Sequence, residues 1–381
     1  MNDIGMCLTG GGARGAYQAG ALKGIAEILK EENLLGLDNP FKYWSGVSAG
    51  SINAAYCVSG MDDFLAATQG LAELWKNIEL NDVYHTDFKH LSKNSIKWMK
   101  DLGFGSFFKK KQARFFLDTE PLWEFLGKNL NLTNIDSQIK KQLVHGLACS
   151  AYSYRDNSTI SFVQSDLEFN WNRHRRSALQ TQINLEHVMA SCAIPLLFPT
   201  VPIDGEHFAD GSFRNLSPIS PMIQFGAKKI LIVGVRGQSE VGGLCYLPEP
   251  GAARISGLIL NALFFDSFEI DLERLRHINQ LVTAAQQDIE TYRSDYTLIN
   301  YRVIRPSKDV GTIAMEKLKK FPKMINYLLS GLGPMEESAE LASYIMFTSN
   351  FTAELLELGY SDVLKQKDEL IEWIEKTEGE L

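Results

Sequence analysis

Short apolar runs that alternate with helical segments organise the first half of the chain. Ile4–Leu8 is predicted as a buried strand, and residues 21–30 have helical spacing. Residues 41–44 predict a second strand, and the small, alanine-rich residues that follow Ser48 are typical of a buried helix. Because strands and helices alternate in this way, we predict an α/β fold with a mainly parallel sheet.

The second half of the chain begins with strands and ends with helices. Further strands are predicted at 144–152, 160–163 and 229–235, and residues 201–212 predict a β-hairpin with a tight turn at Asp204 and Gly205. Helical patterns dominate the last third, at 315–329, 335–358 and 362–376. We therefore expect one unit over 1–245 and a helical extension over 246–381 packed on it. The stretch 256–265 is predicted as a buried core helix, with a lid or a pocket wall as the alternative.

Composition narrows the class of protein. The chain has 381 residues, of which 45% are apolar and 22% are charged, as in soluble globular proteins. Its net charge of −8 argues against a nucleic-acid-binding protein, whose surface is usually basic. The five cysteines are scattered without metal-binding spacing, so we expect reduced thiols and neither a metal nor another cofactor. No stretch has the pattern of a signal peptide or a transmembrane helix, and we expect a cytoplasmic protein.

Residues 46–50 contain the pattern G-x-S-x-G, with Gly46, Ser48 and Gly50 at its fixed positions. A serine between a strand and a helix can lie on a sharp turn, and the two glycines let that turn tighten. The helix N-terminus adds a positive dipole, which favours negative charge that develops beside the serine. The pentapeptide alone also fits a glycine-rich turn that caps a helix, so its meaning depends on the rest of the chain.

A second glycine-rich loop follows the first predicted strand. It comprises Gly10, Gly11, Gly12, Ala13, Arg14 and Gly15. Backbone N–H groups in such a loop can bind a phosphate or stabilise the oxyanion of an acyl-transfer reaction. A dinucleotide site would place an acidic residue at the end of the second strand, where this chain has Ser45 and Ser48 instead. The acyl-transfer interpretation is therefore favoured, with the Arg14 side chain either orienting the loop or attracting an anionic head group.

A serine nucleophile needs a base within hydrogen-bond reach. None of the seven histidines lies in a glycine-rich turn or at an obvious strand end, and His187 fits a core position on an apolar helix. Asp210 ends the second strand of the predicted hairpin and is followed by Gly211, so its carboxylate reaches a loop. We therefore expect a Ser48–Asp210 dyad without a histidine.

Together these motifs resemble the patatin-like phospholipases. The glycine loop, the G-x-S-x-G and Asp210-Gly211 occur in the order and approximate spacing of that family, over roughly residues 4–240. The remainder is similar to bacterial members with a helical C-terminal extension. The resemblance implies a three-layer α/β/α fold, Ser48 as nucleophile, Asp210 as base and an oxyanion hole in the glycine loop. Thr9 and Ser212 depart from the family pattern, and these departures bear on loop placement and substrate preference.

The resemblance also implies a substrate class, namely the acyl esters of phospholipids, lysophospholipids or neutral glycerides. A thioesterase or general carboxylesterase with the same dyad and a lipid-binding scaffold without activity are the alternatives. Because some family members need an activating protein, a protein partner is a further expectation, whereas nucleic acid is not. Residues 104–116 combine four basic side chains with five phenylalanines, which fits either a solvated loop or peripheral contact with an anionic membrane.

Overall fold

The computed structural model describes most of the chain. The described residues are 3–34, 39–86, 115–169, 171–214, 218–237, 251–262, 267–288, 297–318, 321, 326 and 335–376. The basic and aromatic segment 104–116 therefore lies outside the described residues, apart from its last two positions.

The described strands form one mixed sheet. They are β1 (Ile4–Leu8), β2 (Phe41–Val47), β3 (Gly146–Ser153), β4 (Ser158–Ser165), β5 (Asn172–Arg173), β6 (Arg176–Gln180), β7 (Val201–Ile203), β8 (Glu206–Asp210), β9 (Lys229–Val233) and β10 (Asn300–Ile304). The main order is β10-β9-β1-β2-β3-β4-β6-β5, and the β7–β8 hairpin joins the sheet at β3. The five strands from β10 to β3 are parallel, whereas β4 pairs with β3 in the antiparallel direction.

Helices connect these strands and follow them. Within the described residues they are α1 (Gly15–Glu31), α2 (Ala49–Ser59), α3 (Phe64–Asn77), α4 (Leu80–Val83), α5 (Glu120–Asn129), α6 (Asn134–Lys140), α7 (Leu185–Cys192), α8 (Ile219–Phe225), α9 (Ala252–Asn261), α10 (Ser267–Asp288), α11 (Val310–Leu318), α12 (Met335–Ile345), α13 (Ser349–Leu364) and α14 (Lys367–Glu375). Short 3-10 turns lie at Gly12–Arg14, Met61–Asp63 and Gly211–Arg214.

Both faces of the sheet are covered, because successive residues of a strand point to opposite sides. Met6 and Leu8 of β1 belong to a core that includes side chains of α1, α3 and α13. Cys7 lies between them in sequence and belongs to a second core, formed with α8 and α10. The three-layer α/β/α arrangement around a mainly parallel sheet is therefore confirmed.

The predicted hairpin is present as β7 and β8. Its turn residues Asp204 and Gly205 have φ angles of 49° and 80°, and positive angles at both positions are typical of a two-residue hairpin turn. The predicted strands before it correspond to β1 to β4, and β2 extends three residues beyond its predicted end to Val47.

The C-terminal part differs from its predicted helical pattern. β10 lies beyond residue 245 yet pairs in parallel with β9, so the sheet draws on the segment that the sequence assigned to the extension. This strand is only partly buried over most of its length and carries an arginine at position 302, which explains its weak pattern. The predicted helix 335–358 is two helices, separated at Thr348 by an extended backbone with φ −130° and ψ 137°. The boundary at 245 stays a prediction.

The stretch 256–265 was predicted as a buried core helix, and this is wrong for its described part. α9 packs on α12. Leu260 is buried, whereas Leu258 and Ile259 have 56% and 55% of their surface exposed. Residues 263–265 lie outside the described part. Hydrophobicity alone did not distinguish an amphipathic surface helix from a core helix here.

Among the described helices, none combines the length and the apolar character that a membrane span requires.

Lys229, the first residue of β9, is a lysine with no exposed surface. Its ammonium group donates hydrogen bonds to the carbonyl oxygens of Trp373, Ile374 and Lys376, at 2.6, 3.0 and 2.9 Å. The last carbonyls of an α-helix have no partner within the helix, so Lys229 satisfies those at the end of α14. Trp373 is held as well, since its indole N–H donates to Asn300 of β10 at 2.9 Å. The buried lysine thus joins the last described helix to the sheet.

Replacing Lys229 by Met should lower the free energy of unfolding by about 3 kcal/mol, because three buried carbonyls would lose a charged donor. The measurement is urea-induced unfolding followed by circular dichroism. Lys141→Met is the control, since Lys141 is exposed, and it should leave the transition unchanged. Equal stability of the Lys229 variant and the wild type would contradict the role assigned to this contact.

Candidate active site

Ser48 lies on the turn between β2 and α2. Its φ of 55° and ψ of −129° form a conformation that a residue with a side chain rarely adopts. The flanking glycines allow the turn to close. A Cβ at Gly46 would lie 2.3 Å from the carbonyl oxygen of Gly50, and a Cβ at Gly50 would lie 2.3 Å from that of Leu8. The end of β2, the start of α2 and the end of β1 therefore touch through their backbones.

The glycine loop leads from β1 through a 3-10 turn into α1. Gly12 has a φ of 55°, and a Cβ at this position would lie 2.2 Å from the carbonyl oxygen of Tyr344. The turn uses two of the loop amides itself: Arg14 N–H donates to the Gly11 carbonyl at 3.2 Å, and Gly15 N–H donates to the carbonyls of Ala13 and Gly12. The candidate donors to an oxyanion are therefore the amides from Gly10 to Ala13, a narrower set than the sequence indicated.

Buried polar side chains hold the N-termini of α1 and α2 together. Gln18 donates to the carbonyls of Thr9 and of the last residue of β9, both at 2.9 Å. Asn53 donates to the Gly15 carbonyl and to the Gln18 side chain, both at 3.0 Å, and accepts the indole N–H of Trp75 at 2.6 Å. Because helix N-termini carry positive partial charge, two dipoles favour an anion in the region of Ser48.

The pairing of β3 brings Ser48 and Asp210 to the same place. β4 follows one edge of β3 over its whole length, so β2 and β8 share the other edge. β2 ends where Val47 pairs with Ser150, and β8 begins to pair at the next residue, with Asp210 opposite Ala151. Residues far apart in sequence thus meet at the gap between the two strand ends. A Cβ on Gly211 would lie 2.4 Å from the Ser150 carbonyl oxygen, so this backbone also passes close to β3.

Asp210 is a buried carboxylic acid with 1% of its surface exposed. Its Oδ1 accepts the N–H of Ser212 at 2.9 Å, and Oδ2 has no hydrogen-bond partner among the described residues. Burial raises the pKa of Asp210 to about 6, while the Ser48 hydroxyl and Ser212 act to lower it. Ser48 is thus near enough to influence the carboxyl but does not form a well-aligned hydrogen bond with it. Contacts of this kind between reacting groups commonly tighten when substrate binds.

Ser191 supports the turn at Ser48, although the sequence analysis did not select it. Its hydroxyl accepts the N–H of Ser48 at 2.9 Å and donates to the Ser150 carbonyl at 2.7 Å. α7 is thereby tied to both β3 and the candidate nucleophile. A lone serine in a helical stretch has no pattern that marks such a role.

An apolar pocket adjoins Ser48 and Gly12. It is narrow, with a cavity volume of about 30 Å³. Its walls come from α2, α3, α5 and the segments after α7 and α12, and they include Leu74, Phe125 and Phe347. The described residues of α9 do not line this pocket, so the alternative of α9 as a pocket wall is not supported.

Two other predicted candidates have structural partners. Arg14 is 1% exposed and binds Glu340 of α12, which fits an orienting role for its side chain rather than contact with a head group. His187 is buried beside Phe162, accepts the N–H of Asn184 at 3.1 Å, and has its pKa lowered to about 4 by burial. Among the residues that the structure describes, no cluster of His, Cys, Asp and Glu side chains could hold a metal ion.

The parallel strands, the covering helices and a site at the carboxyl ends of β1 and β2 place the chain in the α/β class. The sequence profile of the patatin-like phospholipases matches residues 6–223, which is more than half of the chain. The chain therefore belongs to the patatin-like phospholipase family, and this membership supports hydrolysis of lipid esters.

Two of the solved structures to which the chain is similar come from a bacterium and from human. VipD from Legionella pneumophila is 13% identical, with 97% of this chain and 67% of that chain covered and a TM-score of 0.39. Human GIVD cytosolic phospholipase A2, in complex with methyl gamma-linolenyl fluorophosphonate and terbium chloride, is 13% identical, with 98% and 59% covered and a TM-score of 0.44. The chain thus spans about three fifths of the human protein. No curated protein matches the sequence.

The raised pKa of Asp210 predicts a pH-dependent stability. The folded protein binds this proton more tightly than the unfolded chain, because the pKa is about 6 when folded and 3.8 ordinarily, so the stability that Asp210 contributes falls as the pH rises from 4 through 6. Buried His187, whose pKa is lowered to about 4, has the opposite effect over this range, so the contribution of Asp210 is read from the difference between the wild type and Asp210→Asn. Asp210→Asn is neutral at every pH and should be more stable than the wild type at pH 8, by up to about 3 kcal/mol. At pH 4 the difference should be close to zero. The measurement is urea unfolding at both values.

Asp368→Asn is the matched control, since Asp368 is an exposed aspartate on the first turn of α14. This variant should follow the wild-type pH dependence. Parallel curves for the wild type and Asp210→Asn would mean that Asp210 does not carry the buried proton.

Proposed function

We propose that the protein is a serine lipid acyl hydrolase of the phospholipase A or lysophospholipase type, with Ser48 as nucleophile and Asp210 as general base. The observation that carries the proposal is the apolar pocket that adjoins Ser48 beside a buried carboxylate. An acyl chain is stabilised when it moves from water into contact with apolar side chains. A hydrolase of water-soluble esters does not need a pocket lined in this way.

The first half of the proposed reaction forms an acyl-enzyme. Asp210 accepts the proton of the Ser48 hydroxyl while the oxygen attacks the ester carbonyl carbon. The carbonyl oxygen becomes an oxyanion, which the amides from Gly10 to Ala13 stabilise together with the N-terminal dipoles of α1 and α2. The intermediate then collapses, the bond to the alcohol breaks, and the alcohol leaves with the proton held by Asp210.

The second half releases the fatty acid. Water donates a proton to Asp210 and attacks the carbonyl carbon of acyl-Ser48. The bond to Ser48 breaks, and the proton on Asp210 returns to the serine oxygen. A single carboxylate thus serves both halves. Its pKa of about 6 makes it a stronger base at neutral pH than an exposed aspartate, which removes the need for a histidine.

The first test is labelling of the purified protein with a fluorophosphonate probe, which forms a covalent bond to an activated serine and releases fluoride. We expect the wild type to be labelled and to hydrolyse p-nitrophenyl butyrate, and we expect Ser48→Ala to do neither. Asp210→Asn should lose about 10²- to 10⁴-fold in kcat, the usual contribution of a general base. Wild-type kcat/KM should rise about tenfold per pH unit below 6 and level off above it, because only ionised Asp210 accepts the proton.

Ser51→Ala is the control for labelling, since Ser51 is a buried serine on the first turn of α2 whose hydroxyl donates to the Ser48 carbonyl. It should still be labelled at Ser48. A wild type that is folded but neither labelled nor active, with and without anionic liposomes, would favour a lipid-binding scaffold. Comparison of oxygen esters with acyl thioesters of equal chain length distinguishes the thioesterase alternative.

The pocket predicts a preference for acyl-chain length. Leu74→Trp adds bulk to a half-buried wall position and should reduce kcat/KM for p-nitrophenyl palmitate at least about tenfold relative to the butyrate ester. Leu167→Trp is the control, because Leu167 is exposed away from the pocket and should leave the ratio unchanged. An unchanged ratio in the Leu74 variant would place the acyl chain elsewhere.

A further inference from the structure

The guanidinium of Arg14 takes its partners from a helix that lies far along the chain. Arg14 Nη2 lies 2.6 Å from Glu340 Oε1, and Nε donates to the Ser343 hydroxyl at 2.9 Å. The guanidinium carbon is 4.3 Å from the ring centroid of Tyr344. Burial alone would lower the pKa of Arg14, but Tyr344 and Glu340 raise it, so the buried group stays charged. All three partners belong to α12, which lies outside residues 6–223 matched by the family profile.

A second contact joins the same helix to the glycine loop through its backbone. The carbonyl oxygen of Tyr344 occupies the space that a Cβ on Gly12 would need, at 2.2 Å. α12 therefore supports the loop at two points, the Arg14 side chain and the Gly12 backbone. These two residues flank Ala13, whose amide is among the candidate oxyanion donors.

α12 is itself fixed by neighbours that do not belong to the candidate site. The Tyr344 hydroxyl donates to Asn261 of α9 at 2.5 Å. The Glu340 carboxylate lies against Gly311 of α11, where an added Cβ would be 2.5 Å from Oε2. The position of α12, and with it the position of the glycine loop, is thus set by packing among the C-terminal helices.

We propose that Glu340 and Ser343 are positioning residues of the active site, which act through Arg14 to hold the glycine loop where its amides meet the oxyanion. The proposal rests on the acyl-hydrolase function proposed above. It makes α12 a component of the active site rather than an appended structure, and it assigns the Arg14 side chain to the loop instead of to a lipid head group.

The inference predicts a selective effect on the chemical step. An oxyanion forms only as the reaction proceeds, so a displaced loop weakens stabilisation of the transition state more than binding of the substrate. The pocket is lined mainly by elements other than the glycine loop and α12. Its contacts with the acyl chain of the substrate should therefore persist when the contact between Arg14 and Glu340 is weakened. Loss of the Arg14–Glu340 ion pair should therefore lower kcat and leave KM nearly unchanged.

The test uses Glu340→Gln in the full chain, with p-nitrophenyl butyrate as substrate. The concentration of competent sites is determined by labelling Ser48 to completion with a fluorophosphonate, and kcat is expressed per labelled serine. We expect kcat to fall about 10- to 100-fold, the effect of a misplacement of order 1 Å, with KM within about twofold of wild type. Ser343→Ala, a milder change, should lower kcat less. Glu316→Gln is the matched control, since Glu316 is exposed on α11.

A double variant distinguishes the positioning of the loop through Arg14 from a general loss of stability. If Glu340 acts through Arg14, then Arg14→Gln combined with Glu340→Gln should be no slower than Arg14→Gln alone, because both changes remove one contact. Multiplicative losses, or an unchanged kcat per labelled serine in Glu340→Gln, would overturn the inference and leave the ion pair with a purely structural role. Failure of the proposed function is a different result, in which the wild type itself is neither labelled nor active.

Discussion

Direct contact between backbone segments is the constraint on which the rest of the candidate site depends. At Gly46, Gly50 and Gly12 a side chain would collide with a carbonyl oxygen of another segment. Only without Cβ atoms can the ends of β1 and β2 lie against the starts of two helices, and only then do the helix dipoles converge on one point. The buried amides of Gln18 and Asn53 complete this contact by bonding the carbonyls that it leaves inside the protein.

Three buried charged or ionisable groups differ in how completely their polar atoms are hydrogen-bonded. The ammonium of Lys229 meets three carbonyls, and the guanidinium of Arg14 meets a carboxylate and a hydroxyl. Both are well satisfied, as structural groups usually are. Asp210 is the contrast, because one of its oxygens has no hydrogen-bond partner among the described residues and its pKa rises as a result of burial. A buried carboxyl with a raised pKa and an oxygen left without a partner is what the proposed role of Asp210 as general base requires.

Local patterns carried most of the information about the fold and part of that about the site. The strand and turn signals around Ser48 and the Asp204-Gly205 turn are encoded by adjacent residues, so they were predictable. β10 was missed because a short edge strand with an arginine has little alternation of its own. Ser191 and Glu340 were also missed, since each acts through a contact across at least 140 positions of sequence. Such contacts depend on packing, which no single-sequence periodicity records.

Lys229 and Arg14 both bind segments that are synthesised after the strands of the sheet. These contacts therefore affect when the protein can complete its folding during synthesis. Their partners lie at residues 340–376, well after the last strand of the sheet. A nascent chain that has left the ribosome only through β10 lacks these acceptors for its two cations and the support of α12 for its glycine loop. Domains generally fold as their residues emerge, yet this one lacks its final stabilising contacts until α14 is free. Assembly of the site is therefore postponed until residues 335–376 have been synthesised.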